Sequence, residues 1–226
     1  MIETDATDRI RTVTLDRPSR RNALTPAGLD ALREAVEAAT EPVVYLRGAG
    51  SAFCAGADLD VLAGFDESEA VAFAQQGQAV ARALADSDSV VVAGIDGPAR
   101  GGGVELALAC DLRVGTPEAT LAEPGVAFGL FGAWGGTVRL PRIVGLGEAM
   151  DVALTGRVVD ADEALRMGLL SRVVEDPRSV AETLAEHDPA ALSTVAARLR
   201  DTAADAAQER REAAAFGRLF ADCDIP

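Results

Sequence analysis

VVVAGIDGPARGGGVELALAC, Val90 to Cys110, runs from one apolar segment through a turn and three glycines into a second apolar segment. The first has the length of a buried strand, and Leu106 to Cys110 has helical character. A strand, a glycine turn and a helix start leave backbone N–H groups unpaired beside the positive end of a helix dipole. An anion site is expected there. Glu105 lies three residues beyond Gly102, so on a helix its carboxylate rises over the same face as the Gly102 amide. A donor for a developing oxyanion and a candidate proton carrier are thereby adjacent.

Outward from this stretch the same rhythm recurs. Arg9 to Asp16 alternates apolar and polar residues as a strand would, and Arg17-Pro18-Ser19-Arg20-Arg21-Asn22 breaks it. Thr25 before Pro26 reads as an N-cap with proline at the first helical position, starting a helix to about Ala39. Val43 to Leu46 is a buried strand ended by Gly48-Ala49-Gly50, and a further helix is expected around Ala70 to Ala85. Strand and helix alternate as in an α/β layer fold. Beyond Gly145 the chain reads as helical apart from the short apolar run Leu169 to Val174, and Ala190 to Phe220 carries charges around apolar positions as packed or partner-facing helices do.

The chain has 226 residues, about half of them apolar, enough for one large core. A net charge of −15 opposes nucleic acid or an anionic membrane as a general partner. Cys54, Cys110 and Cys223 are too few and too scattered for a disulfide framework or a metal site, which fits a reducing cytoplasm. No segment reaches the apolar length of a membrane span, and the N-terminus lacks the pattern of an export signal. Two phosphate-loop readings fail on their residues. Gly48-Ala49-Gly50-Ser51-Ala52-Phe53 has Phe53, and Gly101 to Leu106 has Leu106, where a dinucleotide fingerprint needs a third small residue, and neither ends in Lys-Ser or Lys-Thr.

Four ordered segments resemble the signatures of the enoyl-CoA hydratase/isomerase, or crotonase, family: Leu15 to Leu24, Ser51 to Leu59 (SAFCAGADL), Ile95 to Val114, and Leu154 to Val174. The resemblance implies an α/β fold with a repeated ββα spiral core over residues 1–174. A helical C-terminal region, 175–226, shorter than usual for the family, would make the contacts of a homotrimer or hexamer. It implies an acyl-CoA thioester as ligand, no cofactor beyond the CoA moiety, no metal, and a role in fatty acid metabolism. Residue by residue, the amides of Ala57 and Gly102 would form an oxyanion hole, each donor worth roughly 10²–10³ in rate. Arg17, Arg20, Ala23, Leu24, Ala55, Gly56, Asp58, Leu59, Gly101 and Trp134 would line the substrate and CoA site.

Family hydratases carry two glutamates at the reacting carbons. The first matches Glu105. The second would follow the proline of Ala122-Glu123-Pro124-Gly125, and here that position is Gly125. A positioned acid or base supplies about 10²–10⁴ in rate, so the missing carboxylate bears on which reaction is run. The leading expectation is an enoyl-CoA hydratase-like lyase or isomerase with an altered acid/base pair. A non-catalytic acyl-CoA-binding protein and a decarboxylase or thioester hydrolase are the alternatives. Glu123 is read first as a structural hydrogen-bond or ion-pair partner, its plainer reading, with a substitute acid as the alternative. Trp134 is read as core or pocket wall, Asp111 as a capping or pairing group, Cys54 as a small buried residue, and His187 as a surface residue. Arg17, Arg20 and Arg21 are the local cations for CoA phosphates, set against ordinary solvated arginines.

Overall fold

The computed structural model describes residues 1–221, so Cys223 lies outside the described residues. The chain runs in order through β1 (Ile2–Ala6), β2 (Ile10–Leu15), α1 (Pro26–Glu37), β3 (Val43–Gly48), α2 (Leu59–Leu62), α3 (Glu67–Ala85), β4 (Val90–Ile95), β5 (Pro98–Arg100) and α4 (Gly102–Ala109). It continues through β6 (Leu112–Gly115), β7 (Thr120–Ala122), a 3₁₀ turn (Pro124–Phe128), α5 (Gly136–Val144), α6 (Leu146–Thr155), β8 (Val159–Asp160), α7 (Ala161–Arg166) and β9 (Arg172–Val173). Three helices finish it: α8 (Arg178–Ala185), α9 (Pro189–Leu199) and α10 (Asp205–Ala221).

Six strands form one sheet in the order β1-β2-β3-β4-β6-β9, and β5-β7-β8 form a second. Only β1 runs antiparallel to its neighbour in the large sheet; from β2 onward the pairs are parallel, with Val43 opposite both Ile10 and Val90. Parallel sheets are covered on both faces, which is why β3 and β4 read as unbroken apolar runs. Val44, Leu46, Val91, Ala93 and Ile95 point into the main core, whereas Val43, Tyr45 and Val92 point to the other face against Val180 and Ala181 of α8. Period-two geometry thus sorts one apolar run into two cores.

Local signals place the helices. Thr25 Oγ1 accepts the Gly28 N–H at 3.2 Å with Pro26 behind it, the cap expected from the sequence. α3 starts earlier than its apolar pattern, at Glu67, because Asp66 and Glu69 form a reciprocal capping box. The C-terminal helices are stapled to the sheet by Arg200, which pairs with Asp111 and donates to the Ser87 carbonyl. Asp111 also accepts the Val91 N–H at 2.8 Å, so it is a pairing group as expected. No helix among the described residues is long and apolar enough to cross a membrane.

The turn after β2 is held by Asn22, a buried residue with φ +59. Its Nδ2 donates to the carbonyls of Ala49, Ala52 and Phe53, and its Oδ1 accepts the Arg17 N–H. Leu24 then pairs with Ala57 as an isolated parallel bridge, and Cys54 with Ala99. Those two bridges bring residues 54–58 alongside β5 and the start of α4.

Candidate active site

A cavity of about 280 Å³ lies where these segments meet, lined among others by Ala55, Ala57, Leu59, Gly101, Gly102, Glu105, Glu123, Gly125 and Trp134. Its two faces approach closely. Gly56 has φ +83, and a Cβ there would stand 2.8 Å from the Gly102 nitrogen and 2.7 Å from the Arg100 carbonyl, so only glycine lets the two strands of the site touch. The Leu24 N–H donates to Gly56 and the Asp58 N–H to Leu24, leaving the Ala57 N–H between them outside the ladder. Neither the Ala57 nor the Gly102 amide donates a hydrogen bond within the protein among the described residues. Two free N–H groups therefore edge one apolar cavity, one of them at the start of α4.

Every residue of α4 is buried, and Glu105 is its one ionisable group. Burying a carboxylate is unfavourable unless hydrogen bonds replace its water. Here the segment Gly132 to Gly136 wraps it: Glu105 Oε1 accepts the Trp134 N–H at 2.8 Å and the Gly136 N–H at 2.6 Å. A Cβ on Gly132 or Gly136 would come within 2.8–2.9 Å of the carboxylate, so both glycines make room for it. Burial raises the Glu105 pKa, and the amides of Gly136 and Trp134 oppose that rise. Trp134 lies edge-on to Phe73 and fills the space left by Gly77 and Gly102, as the pocket wall foreseen from the sequence.

Glu123 is the second buried carboxyl of the cavity. It stands at the start of the 3₁₀ turn, and its Oε1 is buried with no hydrogen-bond partner. The structural hydrogen bond or ion pair that was its plainer reading is not formed at that oxygen. Burial, and then the nearby Glu105 charge, push its pKa up to about 9. The two carboxyls are thus unlike: one is held by backbone donors, the other is stable only as the neutral acid near pH 7. Gly125 lines the same cavity, but a Cβ on it would meet Phe131 Cα at 2.9 Å and the Leu130 carbonyl at 3.1 Å.

Other residues singled out from the sequence have partners within the chain or lie outside the cavity lining. Asp58 is buried and does not line the cavity; its carboxylate caps α2 through the Asp60 N–H at 3.1 Å and pairs with Arg17 at 2.5 Å and Arg20 at 3.3 Å. Arg20 also pairs with Asp60. Arg17 and Arg20 are thereby engaged with carboxylates of their own chain. Ala23 and Leu24 are buried and do not line the cavity; the Ala23 carbonyl accepts from Arg17, and Leu24 aligns Gly56 to Asp58. Cys54 is fully buried as expected, and its thiol is pushed up to about 12 by burial. What the sequence reading missed is the cradle of amides around Glu105. The glycines at 132, 135 and 136 were its signal.

The fold agrees with the family comparison. The enoyl-CoA hydratase/isomerase family profile matches residues 5–223, and the chain belongs to that family. Among its relatives are a crotonyl-CoA hydratase of Syntrophomonas wolfei and a short-chain-enoyl-CoA hydratase of Clostridium acetobutylicum. Each is 38% identical over 74% of this chain, and the chain spans 66% of the length of each. The crystal structure of an enoyl-CoA hydratase from Bacillus anthracis superposes with a TM-score of 0.90 at 32% identity, covering 96% of this chain and 89% of that one. An enoyl-CoA hydratase structure from Thermoplasma volcanium gives 0.91 at 29% identity, covering 98% and 92%.

Proposed function

We propose that this protein is an enoyl-CoA hydratase-like lyase in which Glu123 stands in for the carboxylate absent at Gly125. The observation that carries the reading is the pair of unlike buried carboxyls in one cavity with two free amides. A thioester carbonyl accepting from the Ala57 and Gly102 N–H groups would be polarised, and those donors would take the charge that grows on its oxygen as the enolate forms. Glu105, whose Oε1 accepts the Trp134 and Gly136 N–H groups, takes a proton from water as it attacks the β-carbon. Glu123, protonated near neutral pH, gives its proton to the α-carbon, and exchange of the proton on Glu105 for the one lost by Glu123 through solvent resets the pair. The carboxyl held by backbone donors is assigned as the base and the one whose Oε1 has no partner as the acid.

The same pair could move a double bond without water, so isomerisation belongs to the same reading. A carrier that binds acyl-CoA without turnover is the reading from another class, favoured by the glycine at 125. No cofactor is required beyond the CoA of the substrate. The proposal includes a cytoplasmic assembly of three or six copies, supported by the exposed Phe216 and Phe220 of α10, which packs on α9. The core of residues 1–174 would hold the chemistry and 175–226 the contacts.

Glu105→Gln tests the assignment. It should keep affinity for saturated acyl-CoA while hydration of 2-enoyl-CoA falls by about 10²–10⁴. Unchanged turnover would remove Glu105 from the mechanism, and absence of turnover in the wild type across chain lengths would favour the carrier.

A further inference from the structure

Glu123 lines not one cavity but two. A second chamber of about 250 Å³ lies between the 3₁₀ turn, α5 and α6, and it shares Glu123, Phe131 and Gly132 with the first. Its walls include Leu140, Pro141, Ala149, Met150, Ala153 and Leu154, with Glu123 and Thr137 as its ionisable or hydroxyl side chains. Walls of this kind accept apolar groups, whose burial there removes apolar surface from water. The sidedness is informative: Ala57, Gly102 and Glu105 line the first cavity only, and Glu123 lines both.

We propose that the substrate's acyl chain passes Glu123 into the chamber between α5 and α6, so that the protein takes 2-enoyl thioesters of medium chain length, eight or so carbons, in preference to crotonyl-CoA. The inference rests on the reading above and names its substrate class. With the thioester oxygen at the amides and the reacting carbons at the carboxyls, the next methylene groups lie beyond Glu123. The orphan Oε1 fits that passage, because a neutral carboxyl beside an alkyl chain loses no hydrogen bond when the chain arrives. A rival route exists in the first cavity, along Leu62 of α2 and Ala70 and Ala74 of α3.

Equilibrium binding of butyryl-CoA and octanoyl-CoA to the full chain separates the routes without depending on turnover. Each methylene buried is worth about fourfold in affinity, so octanoyl-CoA should bind about 10- to 100-fold more tightly than butyryl-CoA to the wild type. Ala153→Phe fills the chamber and should reduce that ratio to a few-fold, whereas Ala74→Phe, on the rival route, should leave most of it. Ala153→Leu gives the same reading if the phenylalanine variant does not fold. The proposal is overturned if the wild type binds both ligands equally, if the ratio survives in the folded Ala153 variants, or if Ala74→Phe abolishes it instead. Loss of the hydratase reading has a different signature: chain-length-dependent binding with no turnover of any 2-enoyl-CoA.

Discussion

Replacing Glu123 by glutamine probes both its chemistry and its energetics. In the folded protein its pKa is raised from 4.5 to about 9, chiefly by burial and then by Glu105. Below pH 4.5 the group is protonated in both folded and unfolded chains and has no effect; as pH rises above 4.5 the unfolded chain ionises while the folded one holds its proton, and stability is lost until pH reaches about 9. At 1.36 kcal/mol per pH unit, the gap between 4.5 and 7 corresponds to about 3 kcal/mol. Glutamine keeps the size and carries no charge in either state, so Glu123→Gln should gain about 1–3 kcal/mol over the wild type at pH 7, the lower figure allowing for the desolvation of its amide. The advantage should grow with pH toward 9 and vanish near pH 4.5. Urea denaturation of both proteins across pH 4.5–9 measures it. The same variant should lose hydration by about 10²–10⁴, with no loss of acyl-CoA affinity. A difference in stability that does not vary with pH, or a variant with full activity, would refute the assignment of Glu123 as a buried neutral acid.

Gly125→Glu should not restore a better catalyst. The glycine has no positive φ, but its added Cβ would press on Phe131 Cα at 2.9 Å, so a loss of about 1–3 kcal/mol in stability and no gain in hydration are expected from melting curves and rate assays on one preparation. Gly77→Ala would drive a methyl into the Trp134 ring, 2.1 Å from Cδ1; because Trp134 is the sole tryptophan of the chain, a shift in intrinsic fluorescence, together with reduced hydration, should report the displacement of the amide that holds Glu105. An unchanged spectrum would mean the backbone yields instead. The net charge of −15 repels itself, so raising NaCl from 0.1 to 1 M, which shortens the screening length from about 10 to 3 Å, should raise the melting temperature by about 2–6 °C. A flat response would show that the acidic surface is already neutralised by its own arginines.

Much of the fold is legible because its signals are local. The Thr25-Pro26 cap, the apolar runs of β3 and β4, and the glycine turn before α4 each act over a few residues, and each forms as its residues dictate. β1 is not legible. Glu3, Thr4 and Asp5 are exposed on an edge strand, so no apolar alternation marks it, and its pairing with β2 is what makes it a strand. The two- and three-residue strands β5, β7 and β8 likewise exist only through one another. In the site, Glu105 and Gly102 are close in sequence and their juxtaposition could be read from helical spacing. Glu123 could not be placed that way, since its approach to Glu105 depends on the backbone before Pro124, with φ −110 and ψ 74. The pairing of Arg17 and Arg20 with Asp58 spans 41 and 38 positions, and no spacing rule reaches that far.

The donors at Ala57 and Gly102 belong to the main chain, whereas Glu105 and Glu123 are side chains on two separate segments. A point mutation exchanges side chains and leaves peptide groups in place as long as the backbone path survives. On the proposed reading, drift in such a molecule would fall unequally: a carboxyl could be lost from one position and regained at another two residues away, while the two main-chain donors would be inherited intact. Glycine at 125 beside glutamate at 123 is what such a relocation would leave behind. Lineages built on this plan are free to explore new proton-transfer chemistry without first having to reinvent their grip on the substrate.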